Sequence, residues 1–143
     1  MLGIVSVRKA PLEAFEFDLN NAPDLFPSVA VLAAFCPGES RIAGVGRLAG
    51  KESNRAEAIR AMLAGMGVPV RIEGDEMVVK GESLTRRNLA GLRLRGGSFT
   101  SSHDHRMVMA LTVAALGADS AVTIDDVACV AKSYPGFFET FEH

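Results

Sequence analysis

Residues 24–35 read Asp-Leu-Phe-Pro-Ser-Val-Ala-Val-Leu-Ala-Ala-Phe, and residues 40–45 read Ser-Arg-Ile-Ala-Gly-Val. The first stretch has the apolar content of a packed helix. Asp24 stands where an N-cap belongs, and Pro27 falls in the first turn, where its missing N–H is not needed. Pro37 and Gly38 stop the helix, and the second stretch is a short strand. About eighty residues on, the same succession returns. Asp24 then falls on Asp104, 29–35 on 109–115 and Ser40 on Ser120, and one residue of slip puts Lys51 on Lys132. Chance likeness between two alanine-rich helices accounts for part of this match. Helix alternating with strand in two such units nonetheless predicts an α/β or α+β layered fold, with one repeat over about 1–80 and another over 81–143.

Outward from this pair, 3–10 and 14–19 alternate loosely around Pro11 and predict two short strands. A second helix is expected over 55–66, with Ile59, Met62, Leu63 and Met66 on one face. Asn54 and Glu57 have the form of a capping box, and Gly67 ends it. Residues 68–73 and 77–80 predict a hairpin around Gly74 and Asp75. Residues 86–97 are polar and glycine-bearing, with a strand expected at 92–94. Asp104 caps a helix to about Leu116, 121–124 is a strand, and a last helix begins near Pro135. Leu84, Val70, Ile72, Phe137, Phe138 and Phe141 are expected in the core.

The chain of 143 residues is long enough for one domain with a real core, and 48% hydrophobic against 22% charged residues excludes disorder. A net charge of −2 supplies no field that would gather nucleic acid or an acidic membrane. No apolar run approaches the roughly 20 residues that cross a bilayer. Neither the N-terminus nor the spacing of the histidines shows a signal peptide or a metal-ligand pattern. Cys36 and Cys129 sit in apolar surroundings, as small core residues of a reducing compartment do. A cytoplasmic protein without metal or cofactor is the expectation.

Anion binding must therefore come from local clusters. Residues 44–55, Gly-Val-Gly-Arg-Leu-Ala-Gly-Lys-Glu-Ser-Asn-Arg, provide one: the glycines loosen the backbone, and Lys51, Glu52 and Arg55 arrive at a helix start. Lys51 and Arg55 share a face if the turn between them is helical, beside the positive end of the helix dipole. Ordinary solvated first-turn charges would have the same spacing. Lys132 likewise reads equally as a surface lysine before a Tyr-Pro turn, and Asp24 and Asp104 as simple caps.

Three motifs stand in order: Pro23-Asp24-Leu25-Phe26-Pro27; Lys51-Glu52-Ser53-Asn54-Arg55; and Asp104-His105-Arg106-Met107, with residues 131–138, Ala-Lys-Ser-Tyr-Pro-Gly-Phe-Phe, behind it. Together they resemble the C-terminal part of the 5-enolpyruvylshikimate-3-phosphate synthase family over nearly the whole chain. The resemblance implies an inverted-barrel fold of two domains, each of three βαβαββ units, with the site between them. Two of those units would be present here and the N-terminal portion of the enzyme absent. It implies transfer of an enolpyruvyl group from phosphoenolpyruvate to the 5-hydroxyl of shikimate 3-phosphate. Asp24 would be the substrate-contacting base, Lys51 would reach the shikimate hydroxyls, and Glu52 would serve in proton transfer. Arg55, Arg106 and Lys132 would hold phosphoenolpyruvate, with His105 beside them. The family usually has Asp where this chain has Asn54, which keeps the cap and removes a charge next to Arg55.

The chemistry needs such residues. Phosphoenolpyruvate carries a carboxylate and a phosphate on one small frame, and the guanidinium fork binds either group bidentately. Addition to the enol carbon also needs a base and an acid, worth roughly 10²–10⁴-fold together with positioning. A carboxylate at a helix N-terminus is a weakened base, whereas desolvation on cleft closure acts the other way. Two rivals remain: a relative that transfers the same group to UDP-N-acetylglucosamine, whose motif set lacks the Lys-Glu-Ser and Asp-His-Arg combination seen here, and a non-catalytic module that uses the cationic pockets to hold a phosphorylated metabolite. The isolated chain is expected to be inert, because half the cleft would be missing.

Overall fold

The computed structural model describes residues 3–50 and 54–142. After an extended start come β1 (Glu16–Asp18), α1 (Phe26–Ala34), β2 (Gly38–Ala43), α2 (Arg55–Gly65), β3 (Val70–Glu73) and β4 (Glu76–Gly81). Next are α3 (Leu84–Ala90), β5 (Gly97–Phe99), α4 (His105–Ala115), β6 (Val122–Ile124) and α5 (Phe137–Glu142). Short 3-10 turns at Pro23–Leu25, Val45–Leu48 and Val127–Lys132 precede α1, α2 and α5. The fold is therefore a mixed α/β one, in which strand, helix, strand, 3-10 turn and helix follow each other twice.

The first sheet has the order β1-β2-β4-β3, with β1 parallel to β2 and the other neighbours antiparallel. β5 and β6 form a separate parallel pair in which Phe99 stands opposite Ile124. α1 packs on β2 and β4, α2 on β3, and α4 against both α1 and β6. Phe26, Ile42, Ile59, Leu63, Met77 and Leu111 are wholly or almost wholly buried between these layers. A smaller cluster of Val108, Cys129 and Val130 seats Phe137 and Phe138 from the chain end. Both cysteines are buried and unpaired.

Local chemistry explains the boundaries. Asn54 caps α2 by accepting the Glu57 N–H, and Asp104 caps α4 by accepting the Arg106 N–H. Glu57 completes only half of a capping box, because its carboxylate turns to Arg60 instead. The 74–75 turn closes the β3–β4 hairpin, and Asp75 reaches back to accept the N–H groups of Gly44 and Gly46 at 3.2 and 2.7 Å. Gly44 has φ +114°, and a side chain there would press on the Leu19 and Asn20 backbone. These contacts set the direction in which the chain leaves β2 for residues 44–50.

Several expectations are corrected. Residues 3–10 form no strand, because no neighbour offers them a ladder; Ile4, Val5 and Val7 stand in the open. Residues 84–90 are a helix, capped by Ser83, and the expected strand at 92–94 shrinks to one bridge between Leu94 and Ala118. Asp24 is no cap: the chain enters α1 through a 3-10 turn with no side-chain cap bond. Ile72 lies on edge strand β3, and Leu84 and Phe141 at helix starts or ends, so all three remain over a third exposed.

Candidate functional site

A hollow of about 480 Å³ opens where the first turns of α1, α2 and α4 meet. Pro27 of α1, Arg55, Ala58 and Ile59 of α2, and His105, Arg106 and Met107 of α4 line it. So do Ser102, His103 and Asp104 of the preceding loop and Lys132 at the end of a 3-10 turn. The first turns of three helices thus border one space, and the positive ends of their dipoles favour negative charge there. The chain brings Arg55, Arg106 and Lys132 there from segments far apart in sequence.

Asp104 is the carboxylate around which the two guanidinium groups are set. Its side chain is only 11% exposed, with Oδ2 3.6 Å from Arg55 Nε and Oδ1 3.7 Å from Arg106 Nη1. Oδ1 also accepts the Arg106 backbone N–H at 2.9 Å. Cap and ion pairs are therefore one device: the group that starts α4 also holds both forks at the hollow. Asp24 does not line the space but joins it through Arg106, whose Nη2 lies 3.2 Å from Asp24 Oδ2. Arg106 is half-buried and Asp24 largely exposed.

On the other rim, His103 pairs through Nδ1 with Asp126 Oδ2. That carboxylate hydrogen-bonded to the ring holds the imidazole above its usual pKa. Asp125 accepts the Ser101 N–H at 2.6 Å, which holds its carboxyl below the usual range. Among the described residues Lys132 makes no ion pair.

Of the site residues expected from sequence, Arg55, Arg106 and Lys132 come together on one hollow, and Asp24 joins them through an ion pair. Lys51 and Glu52 lie outside the described residues. Sequence reasoning took Asp104 for a cap and His103 for an exposed or structural histidine. The signal for both was the unbroken run His103-Asp104-His105-Arg106, four polar groups at a helix start where one cap suffices.

Residues 3–141 match the family model described as EPSP synthase (3-phosphoshikimate 1-carboxyvinyltransferase). A 3-phosphoshikimate 1-carboxyvinyltransferase of Methanocorpusculum labreanum is 42% identical over 96% of this chain and 31% of its own length. The protein of that name from Aeropyrum pernix is 41% identical over 96% of this chain and 30% of its own length. The chain therefore spans about a third of the length of the curated relatives it matches. EPSP synthase from Acinetobacter baumannii superposes with a TM-score of 0.70 at 28% identity, covering 82% of this chain and 26% of that one. The enolpyruvyl transferase NikO from Streptomyces tendae shares the fold, with a TM-score of 0.61 at 20% identity over 90% of this chain and 27% of that one.

Proposed function

Since the chain belongs to the EPSP synthase family, we propose that it is a portion of a 3-phosphoshikimate 1-carboxyvinyltransferase. Such an enzyme moves the enolpyruvyl group of phosphoenolpyruvate to the 5-hydroxyl of shikimate 3-phosphate and releases phosphate, a cytoplasmic step of aromatic amino acid biosynthesis. The hollow is its phosphoenolpyruvate half-site. The observation that carries this reading is the convergence of Arg55, Arg106 and Lys132 on one space walled by helix N-termini. Two forks and an ammonium match a ligand with two adjacent anionic groups.

In this reading Asp24, at the mouth, contacts the acceptor hydroxyl and serves as base. Lys51 binds the acceptor hydroxyls and Glu52 transfers a proton at the enolpyruvyl methylene, as their motif implies. Asp104 holds Arg55 and Arg106 in register, so the ligand does not bear the cost of ordering them. The remaining length of the relatives would supply the opposite wall of the cleft and most contacts to shikimate 3-phosphate. Residues 16–81 would be one βαβαββ unit and those from β5 onward part of another.

The test is steady-state kinetics on an intact enzyme that carries this segment. Loss of one charged hydrogen-bonding group costs about tenfold to a hundredfold in phosphoenolpyruvate affinity. Arg55→Ala, Arg106→Ala and Lys132→Ala should each raise the phosphoenolpyruvate KM on that scale. Unchanged KM values would remove the reading, and an intact protein that binds phosphoenolpyruvate without ever releasing phosphate would be a binding module instead.

A further inference from the structure

Among the described residues three non-glycine ones adopt left-handed backbone: Ser102, His103 and Asp126, with φ of 54°, 56° and 37°. They meet at one point on the rim of the hollow, where the His103 ring is paired with Asp126. Side chains disfavour this conformation, so surrounding contacts must hold it in place. Those contacts join two segments leaving the same ends of parallel strands. The 100–104 loop leaves β5, presents Asp104 and leads into α4 at Arg106, and the 125–132 segment leaves β6 and ends in Lys132. The two are fastened twice, by Ser101 N–H on Asp125 and by His103 on Asp126.

Resting on the reading of the hollow as an anion site, we propose that His103 is a positioning residue. Through Asp126 its charged ring holds the Lys132 segment against the loop that leads to Arg106, and so sets how tightly the hollow grips an anion. His103 lies opposite Asp125, Asp126 and Lys132 on the neighbouring segment, and Asp104 follows it on its own loop. The carboxylates favour the charged imidazole and Lys132 opposes it, with Asp126 the largest influence. The link is complete below the ordinary imidazole range and is lost as pH rises through the raised value. The His103 side chain is 81% exposed, so the effect is that of a solvated pair.

The test uses sulfate, which remains a dianion across the neutral range, titrated into the 143-residue chain between pH 5.5 and 8.5. In the native chain sulfate affinity should fall by about two- to fivefold as His103 loses its proton, the scale of an exposed ion pair. His103→Asn keeps a donor at the reach of Nδ1 and tolerates left-handed backbone, but does not titrate. It should retain the affinity of the acid limb and lose the part of the pH profile that His103 supplies. Whatever the two proteins have in common cancels in the comparison. Asp126→Asn should lower affinity at pH 6 to that of the alkaline limb, and the Lys132 amide resonance of the native chain should follow the His103 titration. An unaltered pH profile in His103→Asn, with sulfate still bound, would overturn the role of His103 alone. Absence of sulfate binding in every variant would overturn the anion-site reading as well.

Discussion

Arg87 shows how much one residue does in a fold of this size. It is 8% exposed, yet its guanidinium has three acceptors: the carbonyls of Glu82, Leu92 and Ala34. The last belongs to the C-terminus of α1, where a cation complements the dipole. Burial lowers its pKa, though not far enough to discharge a guanidinium. Replacing it by an apolar residue strands those carbonyls, so Arg87→Leu should cost about 3 kcal/mol in urea unfolding. Asp104 makes a complementary case. Asp104→Ala removes the cap of α4 and should cost about 1–2 kcal/mol, whereas Asp104→Asn keeps the cap and should stay within about 0.5 kcal/mol. A like loss from both would show that charge, and not capping, anchors that helix. Of these partners the sequence showed only the cap at Asp104, because Arg87 stands among polar neighbours in 86–97 and its acceptors come from three places in the chain.

At the level of elements, α1, α2, α4 and the β3–β4 hairpin were legible because each carries a local signature: an apolar stripe, a cap, or a tight turn. α3 was not, since Leu-Thr-Arg-Arg-Asn-Leu-Ala shows no apolar face and is held by Ser83 and buried Arg87. Short β5, with a glycine in it, is a strand only because β6 lies beside it. Gly81 of β4 marks where the sheet touches α1, since a Cβ there would run into the carbonyl oxygens of Ala33 and Cys36. Gly81→Ala should therefore destabilise the chain by about 3 kcal/mol in thermal or urea unfolding, the upper range of overpacking. On the outer face of the sheet, Arg71 pairs with Glu39 and Glu73, and Arg41 with Glu73 and Glu76. Hydrogen bonds from Arg71 hold the carboxyls of Glu39 and Glu73 below their usual range. Groups with depressed folded-state pKa stabilise above the unfolded value and stop doing so as pH falls through the folded one. Stability should hence decline below about pH 4.5, and Arg71→Ala should flatten that acid limb in unfolding measured against pH.

For the whole molecule, the hollow supplies cations but only part of a wall, and the relatives are some three times as long. Supplied with phosphoenolpyruvate and shikimate 3-phosphate, the isolated chain should release no phosphate, and a phosphate-release assay decides this. Toward the C-terminal end of α4, Leu32 of α1, Val113 of α4 and Leu116 after it line an apolar groove with Phe35 and Leu84. Exposed apolar area of this kind drives association. Sedimentation velocity should show a concentration-dependent shift to larger species, and Leu116→Lys should reduce it. By itself the sequence determined the alternation of helix and strand, the caps at Asn54 and Asp104, the turn at 74–75 and the family motifs, because periodicity, capping and turns act over a few neighbouring residues. Only the tertiary structure decided that Asp24 is an ion-pair partner and no cap, that Asp104 sits between two arginines, and that Lys132 and His103 share a rim. Apart from the Asp104–Arg106 pair, those are contacts between residues tens of positions apart, set by how the helices pack and which strands pair, and no local pattern encodes them.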